Sequence, residues 1–265
     1  MYLLIATAVL CFACSCNEAK TNNNIENNNI IKVDENSEEA IPQGAKTLMK
    51  VYPNKVKGYA DGKLVMANGS TILYDDGKKK DFLKMLDNSD PEDMFNMQYK
   101  TNGIPGYLED AGRSRSEQLF KSMYGKSEAE VRKNLVPVNW FGKKVLFTKV
   151  NGAADSLRAV AAELAKLPSE YKKYLPTAGT FNWRAVRGAN RLSSHSYGIA
   201  IDINTKYSNY WLWENKGAKE TDRNKYNNRI PEEIVRVFEK HGFVWGGRWY
   251  HYDTMHFEFR PELLK

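Results

Sequence analysis

Cysteine is confined to the first sixteen residues of this chain, at Cys11, Cys14 and Cys16. Whatever folds beyond them does so without a disulfide framework, thiolate-bound zinc or a cysteine nucleophile. The body must be held by an ordinary hydrophobic core, and any metal site in it must be built from His, Asp and Glu. The means are there: 265 residues, 42% hydrophobic and 27% charged, suffice for one large domain or two modest ones. These values exclude an intrinsically disordered chain, a collagen-like fibre and a polytopic membrane protein. A net charge of +7 favours anionic partners in general, whether nucleic acid, acidic lipid or an acidic wall polymer, and does not choose among them.

Tyr2 to Ala13 is an apolar run too short to span a bilayer as a helix. Small residues precede Cys14 and Cys16, so residues 1–16 resemble a bacterial lipoprotein signal with Cys16 or Cys14 as the lipidated residue. The n-region lacks Lys and Arg, and Cys11 or Ala13 stands where such signals usually carry Leu; an anchor without lipid is the alternative. The expected location is the bacterial cell envelope, membrane-anchored and facing the periplasm. Residues 17–45 follow, rich in Asn and Glu and poor in aromatics. They carry too little apolar area to offset chain entropy and are expected to form a flexible linker.

Beyond the linker no internal repeat is visible. Lys55–Tyr59, Lys63–Ala67 and Ser70–Tyr74 read as strands joined at Asp61-Gly62 and Asn68-Gly69, both hairpin signals. The Lys78–Lys80 run reads as a solvated loop, and a short helix is expected near Ser127–Lys133. Residues 46–139 are taken as a small β-rich accessory region. The domain of interest is 140–265: a strand at Lys144–Val150, a helix over Ala153–Leu167 that Asn151 can cap, and buried strands at Thr177–Trp183 and Gly198–Ile203. A second helix runs from Pro231 to Gly242, then strands at Phe243–Trp249 and Met255–Phe259. Without regular βαβ alternation this predicts an α+β fold with a mostly antiparallel sheet and flanking helices.

All four histidines, His195, His241, His251 and His256, lie in this domain. After Gly198, Ile199, Ile201 and Ile203 alternate with Ala200, Asp202 and Asn204, which sets Asp202 among apolar neighbours where an unpaired carboxylate is costly. A cation resolves that cost. His195 returns to the same place across the turn, and His256 supplies a second imidazole. Two His and one carboxylate leave a fourth position open on a tetrahedral zinc, as catalytic sites do. Asp253, three residues before His256, can then take a proton from water. Each has a plainer reading: His195 as a hydrogen-bonded loop residue, Asp202 as an arginine partner, and His251 as the ligand in place of His256. His241, beside Gly242, reads as a helix-end residue that complements the dipole.

The pattern Ser193-x-His195-x-x-Gly198-x-Ala200-x-Asp202, followed by Asp253-x-x-His256-Phe257-Glu258, resembles the zinc D-alanyl-D-alanine carboxypeptidase family. That family includes D-Ala-D-Ala dipeptidases and phage L-alanyl-D-glutamate endopeptidases. The resemblance runs from about Val145 onward and implies a hedgehog-like fold with one zinc ion per chain. It implies His195, Asp202 and His256 as zinc ligands and Asp253 as general base, Asp being the usual choice in the endopeptidase branch. It implies Ser193 as a substrate-holding residue, with His251 also read in a substrate-binding role. An arginine that stabilises the oxyanion is expected at Arg184, with Arg187 and Arg191 close enough to keep that open. The implied activity is hydrolysis of peptidoglycan stem peptides; the N-terminal signal, apart from the resemblance, predicts a lipid anchor to the membrane and no nucleic-acid partner. The alternative is a non-catalytic zinc-containing lipoprotein that binds cell wall. Trp183, Tyr197, Trp245, Trp249 and Tyr252 are candidates either for the cleft or for the core.

Overall fold

Asp61 and Gly62 both take left-handed backbone, with φ of 49° and 70°. That is the two-residue turn whose twist matches paired strands. In the computed structural model, which describes residues 40–264, this turn joins β1 (Val56–Ala60) to β2 (Lys63–Met66), and β3 (Thr71–Leu73) completes a small antiparallel sheet. Helix α1 (Gln43–Val51) precedes it, with Ala45 and Leu48 fully buried, so among the described residues regular structure begins at Gln43. The lipidation sites expected at Cys14 and Cys16, and most of the linker, lie outside the described residues.

Short helices follow at α2 (Phe82–Asp87), α3 (Glu117–Tyr124) and α4 (Glu128–Arg132), capped by the side chains of Asp81, Ser116 and Ser127. A hairpin of β4 (Leu135–Trp140) and β5 (Lys143–Thr148) packs against α5 (Ala153–Leu164), which buries Leu157, Val160 and Leu164. The third sheet holds β6 (Ala200–Asp202), β7 (Phe243–Trp245) and β8 (His256–Phe259) in the antiparallel order β6-β8-β7. Helix α6 (Trp211–Glu214) lies between β6 and β7 in sequence, and α7 (Glu232–Lys240) covers the sheet through Ile234, Val235 and Phe238. The Phe238 ring stacks on Phe257 at 3.8 Å. The architecture is α+β with antiparallel sheets. Among the described residues, no helix is long and apolar enough to cross a membrane.

Several local expectations need correction. Thr177–Trp183 is not a strand; it forms one bridge, Gly179 to Asp202, because its next carbonyls turn towards the 193–197 segment. Asn151 does not cap α5. It sits at φ 56° and its amide donates to the Tyr124 hydroxyl, leaving Gly152 at the helix start. The strand expected at Phe243–Trp249 stops at Trp245, where Gly246-Gly247 begins a turn of 3₁₀ helix. Lys80 is not solvated: it is buried among Asp76, Asp90 and Asp93.

Residues from Ala40 onward pack as one compact unit. The residues read as accessory therefore share a core with the later strands, as in the hydrogen bond from the Tyr52 hydroxyl to Glu262.

Candidate metal centre

The first side chains of the site come from a single tight turn. Ser193 starts the 3₁₀ segment Ser194–Tyr197 by accepting the His195 N–H on its hydroxyl. Gly198 ends the turn at φ 68°, and a Cβ there would stand 2.5 Å from the Leu135 side chain. Only glycine fits both demands. The chain then enters β6, whose last residue is Asp202. In the antiparallel register Asp202 pairs directly with His256, the first residue of β8. Register alone thus sets a carboxylate beside an imidazole, and the turn returns His195 to the same point.

Three donor atoms converge there. His195 Nε2 lies 3.2 Å from His256 Nδ1 and 3.2 Å from Asp202 Oδ1, and His256 Nδ1 lies 2.9 Å from Asp202 Oδ1. Ligands held ~2.0–2.1 Å from one tetrahedral ion stand roughly 3.3 Å apart, so the three atoms are spaced for a single small cation. The far nitrogen of each ring is already engaged. His195 Nδ1 faces the Thr180 carbonyl, and His256 Nε2 faces Glu258 Oε2 and the Ser194 hydroxyl, each at 3.2 Å. Metal-binding imidazoles are commonly fixed in this way. The donor set therefore fits a divalent transition metal such as zinc.

The charges agree with that geometry. Burial opposes ionisation of Asp202, but His195 and His256 override it and hold its carboxyl far below the usual range. Burial likewise pushes His256 down, and Asp202 with Glu258 more than reverses this, lifting it to about 10 when no metal is bound. Asp253 behaves in the opposite way. Burial first, then the Asp202 charge, pushes it up to about 7. Its Oδ1 is buried without a hydrogen-bond partner. Gly246 makes the position possible, because it accepts the Asp253 N–H on its carbonyl and a Cβ there would strike the Asp253 carbonyl at 2.4 Å.

A cavity of about 460 Å³ opens over these groups and includes His195, Asp202, Asp253 and His256 in its wall. Ser193 and Arg184 also line it. Arg184 is exposed, and its guanidinium donates to the Ala185 carbonyl in its own loop. Arg187 and Arg191 share the rim, Arg191 being paired with Asp87. Of the aromatics considered, Trp249 reaches the cavity; Tyr197, Trp245 and Tyr252 are core residues. The apolar wall is instead Tyr210, Trp211 and Trp213, which no motif marked. His241 sits at the end of α7, bonded to Glu163.

His251 is brought to the cavity but is not free to bind anything. Nδ1 meets the Asp110 carboxylate and Nε2 lies 2.8 Å from the Glu220 carbonyl. Asp110 is in turn paired with Arg113, which also forks onto Glu220. Nor does His251 join the converging donors in place of His256, since its ring nitrogens meet Asp110 and Glu220 and stand outside the group formed by His195, Asp202 and His256. Arg113 and Arg115, the residues sequence reasoning missed, come from the segment read as accessory. Arg115 is partly buried in the cavity wall; burial, together with Arg260 and Arg191, depresses its pKa and Glu258 only partly compensates. Their partners lie up to 143 residues away in sequence, from Arg115 to Glu258, and such pairing leaves no local signal.

Residues 187–259 match the D-alanyl-D-alanine carboxypeptidase family. No curated protein and no solved structure matches the chain. The segment matching the carboxypeptidase model contains Ser193, His195, Asp202, Asp253 and His256, so the resemblance drawn from the two motifs is borne out. Arg184 stands just before it and Arg113 and Arg115 well before it. Over that segment, a little more than a quarter of the chain, the protein is similar to a family of peptidases.

Proposed function

We propose that this protein is a zinc-dependent peptidase that hydrolyses peptidoglycan stem peptides. The observation that carries the reading is the convergence of His195 Nε2, His256 Nδ1 and Asp202 Oδ1 beside a partnerless Asp253 oxygen, within the family-matched segment. Zinc, when bound, acidifies water towards a pKa of ~7 and polarises a carbonyl. Asp253 accepts the proton of the attacking water and returns it to the leaving amine, a task suited to a carboxyl whose pKa stands near neutrality. Arg184 meets the negative charge that develops on the carbonyl oxygen; a lost donor of that kind costs roughly 3–4 kcal/mol. Ser193 and the Tyr210, Trp211 and Trp213 wall hold the peptide. His251 holds that wall, its ring lying edge-on to Trp211 at 4.5 Å.

The hedgehog-like fold, the lipid anchor at Cys14 or Cys16 and the periplasmic location belong to the same proposal. They rest on the motifs and on the apolar run before the cysteines.

The test is incubation of the purified full-length chain with muropeptides and identification of the products by mass spectrometry. Chelator-treated and Asp253→Ala samples serve as controls. Release of terminal D-Ala assigns a carboxypeptidase; a cut between L-Ala and D-Glu assigns an endopeptidase. Zinc binding with no product in any sample would replace this reading with a wall-binding lipoprotein.

A further inference from the structure

Behind the metal centre runs a chain of buried charges that the proposed hydrolysis does not use. His256 Nε2, the ring nitrogen turned away from the converging donors, lies 3.2 Å from Glu258 Oε2. Glu258 is fully buried, and its other oxygen accepts from Arg260 Nη1 at 2.8 Å. Arg260, also fully buried, donates Nε to Glu262 Oε1, and Glu262 Oε2 accepts the Tyr52 hydroxyl just after α1. Arg115 approaches Glu258 at 3.5 Å. Two carboxylates and two guanidiniums make the group neutral. Burying four charges is expensive even when paired, and apolar residues of similar size would serve packing as well or better. The cost calls for a role other than stability.

We infer that Glu258 is a positioning residue for metal binding. Its carboxylate accepts a hydrogen bond from the Nε2–H of His256, which fixes the ring so that the Nδ1 lone pair points at His195 and Asp202. Arg260 and Arg115 hold that carboxylate in place. This rests on the reading of His256 as a metal ligand. Outer carboxylates of this kind change metal affinity by 10–100-fold when removed.

The test strips full-length protein of metal and titrates it with Zn²⁺ against a chromophoric chelator, then with Co²⁺ followed by its visible spectrum. Glu258→Gln keeps the size of the side chain and is expected to weaken zinc 10–100-fold and to alter the cobalt spectrum. Tyr52→Phe loosens the far end of the same buried network and is expected to leave both readouts unchanged. Equal zinc affinity in Glu258→Gln and wild type would overturn the inference. So would equal weakening in both variants, which would mark the network as merely structural. A second measurement needs no variant: imidazole nitrogen NMR of the zinc-loaded wild type should find Nε2 of His256 protonated and Nδ1 on the metal. The reverse assignment would sink the inference. A wild type that binds no zinc would remove the metal reading first and this inference with it.

Discussion

Two histidine–carboxylate clusters face the same cavity and differ in one respect. At His195, Asp202 and His256, three lone-pair donors converge and the Asp202 carboxylate pairs with the histidines themselves. At His251, Asp110 and Glu220, a guanidinium stands among the carboxylates: Arg113 lies 3.0 Å from Asp110 and 2.8 Å from Glu220. The second cluster carries its own cation and is complete. The first becomes complete when a cation arrives. Burial, imidazole and carboxylate are common to both, so none of these marks a site alone; the converging donors with no guanidinium among them do.

The sharpest way to break the comparison is to remove the cation from each cluster. Chelation should abolish peptide hydrolysis and lower the melting temperature of the wild type. Saturating zinc at ~100 times its Kd adds about 2.7 kcal/mol of stability, and His256→Ala should lose that increment. Arg113→Met strips the second cluster of its cation and leaves the buried Asp110 with His251 but no guanidinium, a change that costs about 3–5 kcal/mol. Zinc affinity in that variant should stay at the wild-type value. Calorimetry with and without zinc reads both outcomes, and a large loss of zinc affinity in Arg113→Met would show that the clusters are not separate.

The next effects concern catalysis within the first cluster. Asp253→Asn should lower turnover by ~10²–10⁴-fold with zinc binding retained. Arg184→Ala should lower it by ~10²–10³-fold. If Arg115→Lys falls as far while Arg184→Ala does not, the Arg115 guanidinium and not the more exposed Arg184 faces the developing charge.

How much of this was legible follows from how local each cause is. The Asp61-Gly62 turn, the faces of α5 and α7 and the Gly198 turn are fixed by neighbours in sequence, and they read correctly. His195, Asp202, Asp253 and His256 were found because a turn and two strands bring them together within one family-matched segment. Thr177–Trp183 misread because its extended apolar pattern spends its carbonyls on His195 and not on a ladder. Asn151 looked like a cap, yet Tyr124, 27 residues earlier, claims its side chain. Asp110, Arg113 and Arg115 were silent because nothing near them in sequence shows that Glu220, His251 and Glu258 will be their partners. Glu258 stood inside the quoted motif, but its service to His256 emerges only once β8 is buried on both sides.

The smallest effect separates the two carboxylates of the first cluster by pH. Asp253 has its pKa raised to about 7 by burial and by Asp202, well above the ~3.9 of an unfolded chain. The folded state therefore holds this proton more tightly than the unfolded state. The stability that goes with it is fully present below about pH 4 and is lost as pH rises through 7. Asn cannot ionise, so in chelator-treated protein Asp253→Asn should gain on wild type across that window. The gain should level off above it at a few kcal/mol, on the order of 1.4 kcal/mol per pKa unit. Asp202 runs the other way: its lowered pKa stabilises the fold above about pH 4, and Asp202→Asn should lose stability there. Urea unfolding of metal-free wild type and both variants at pH 4, 6 and 8 measures this. A bound cation favours both carboxylates, so zinc should shrink the Asp253→Asn advantage and move the acid limb of activity to or below pH 7. An advantage that zinc leaves untouched would place Asp253 outside the reach of the metal and out of the role of base.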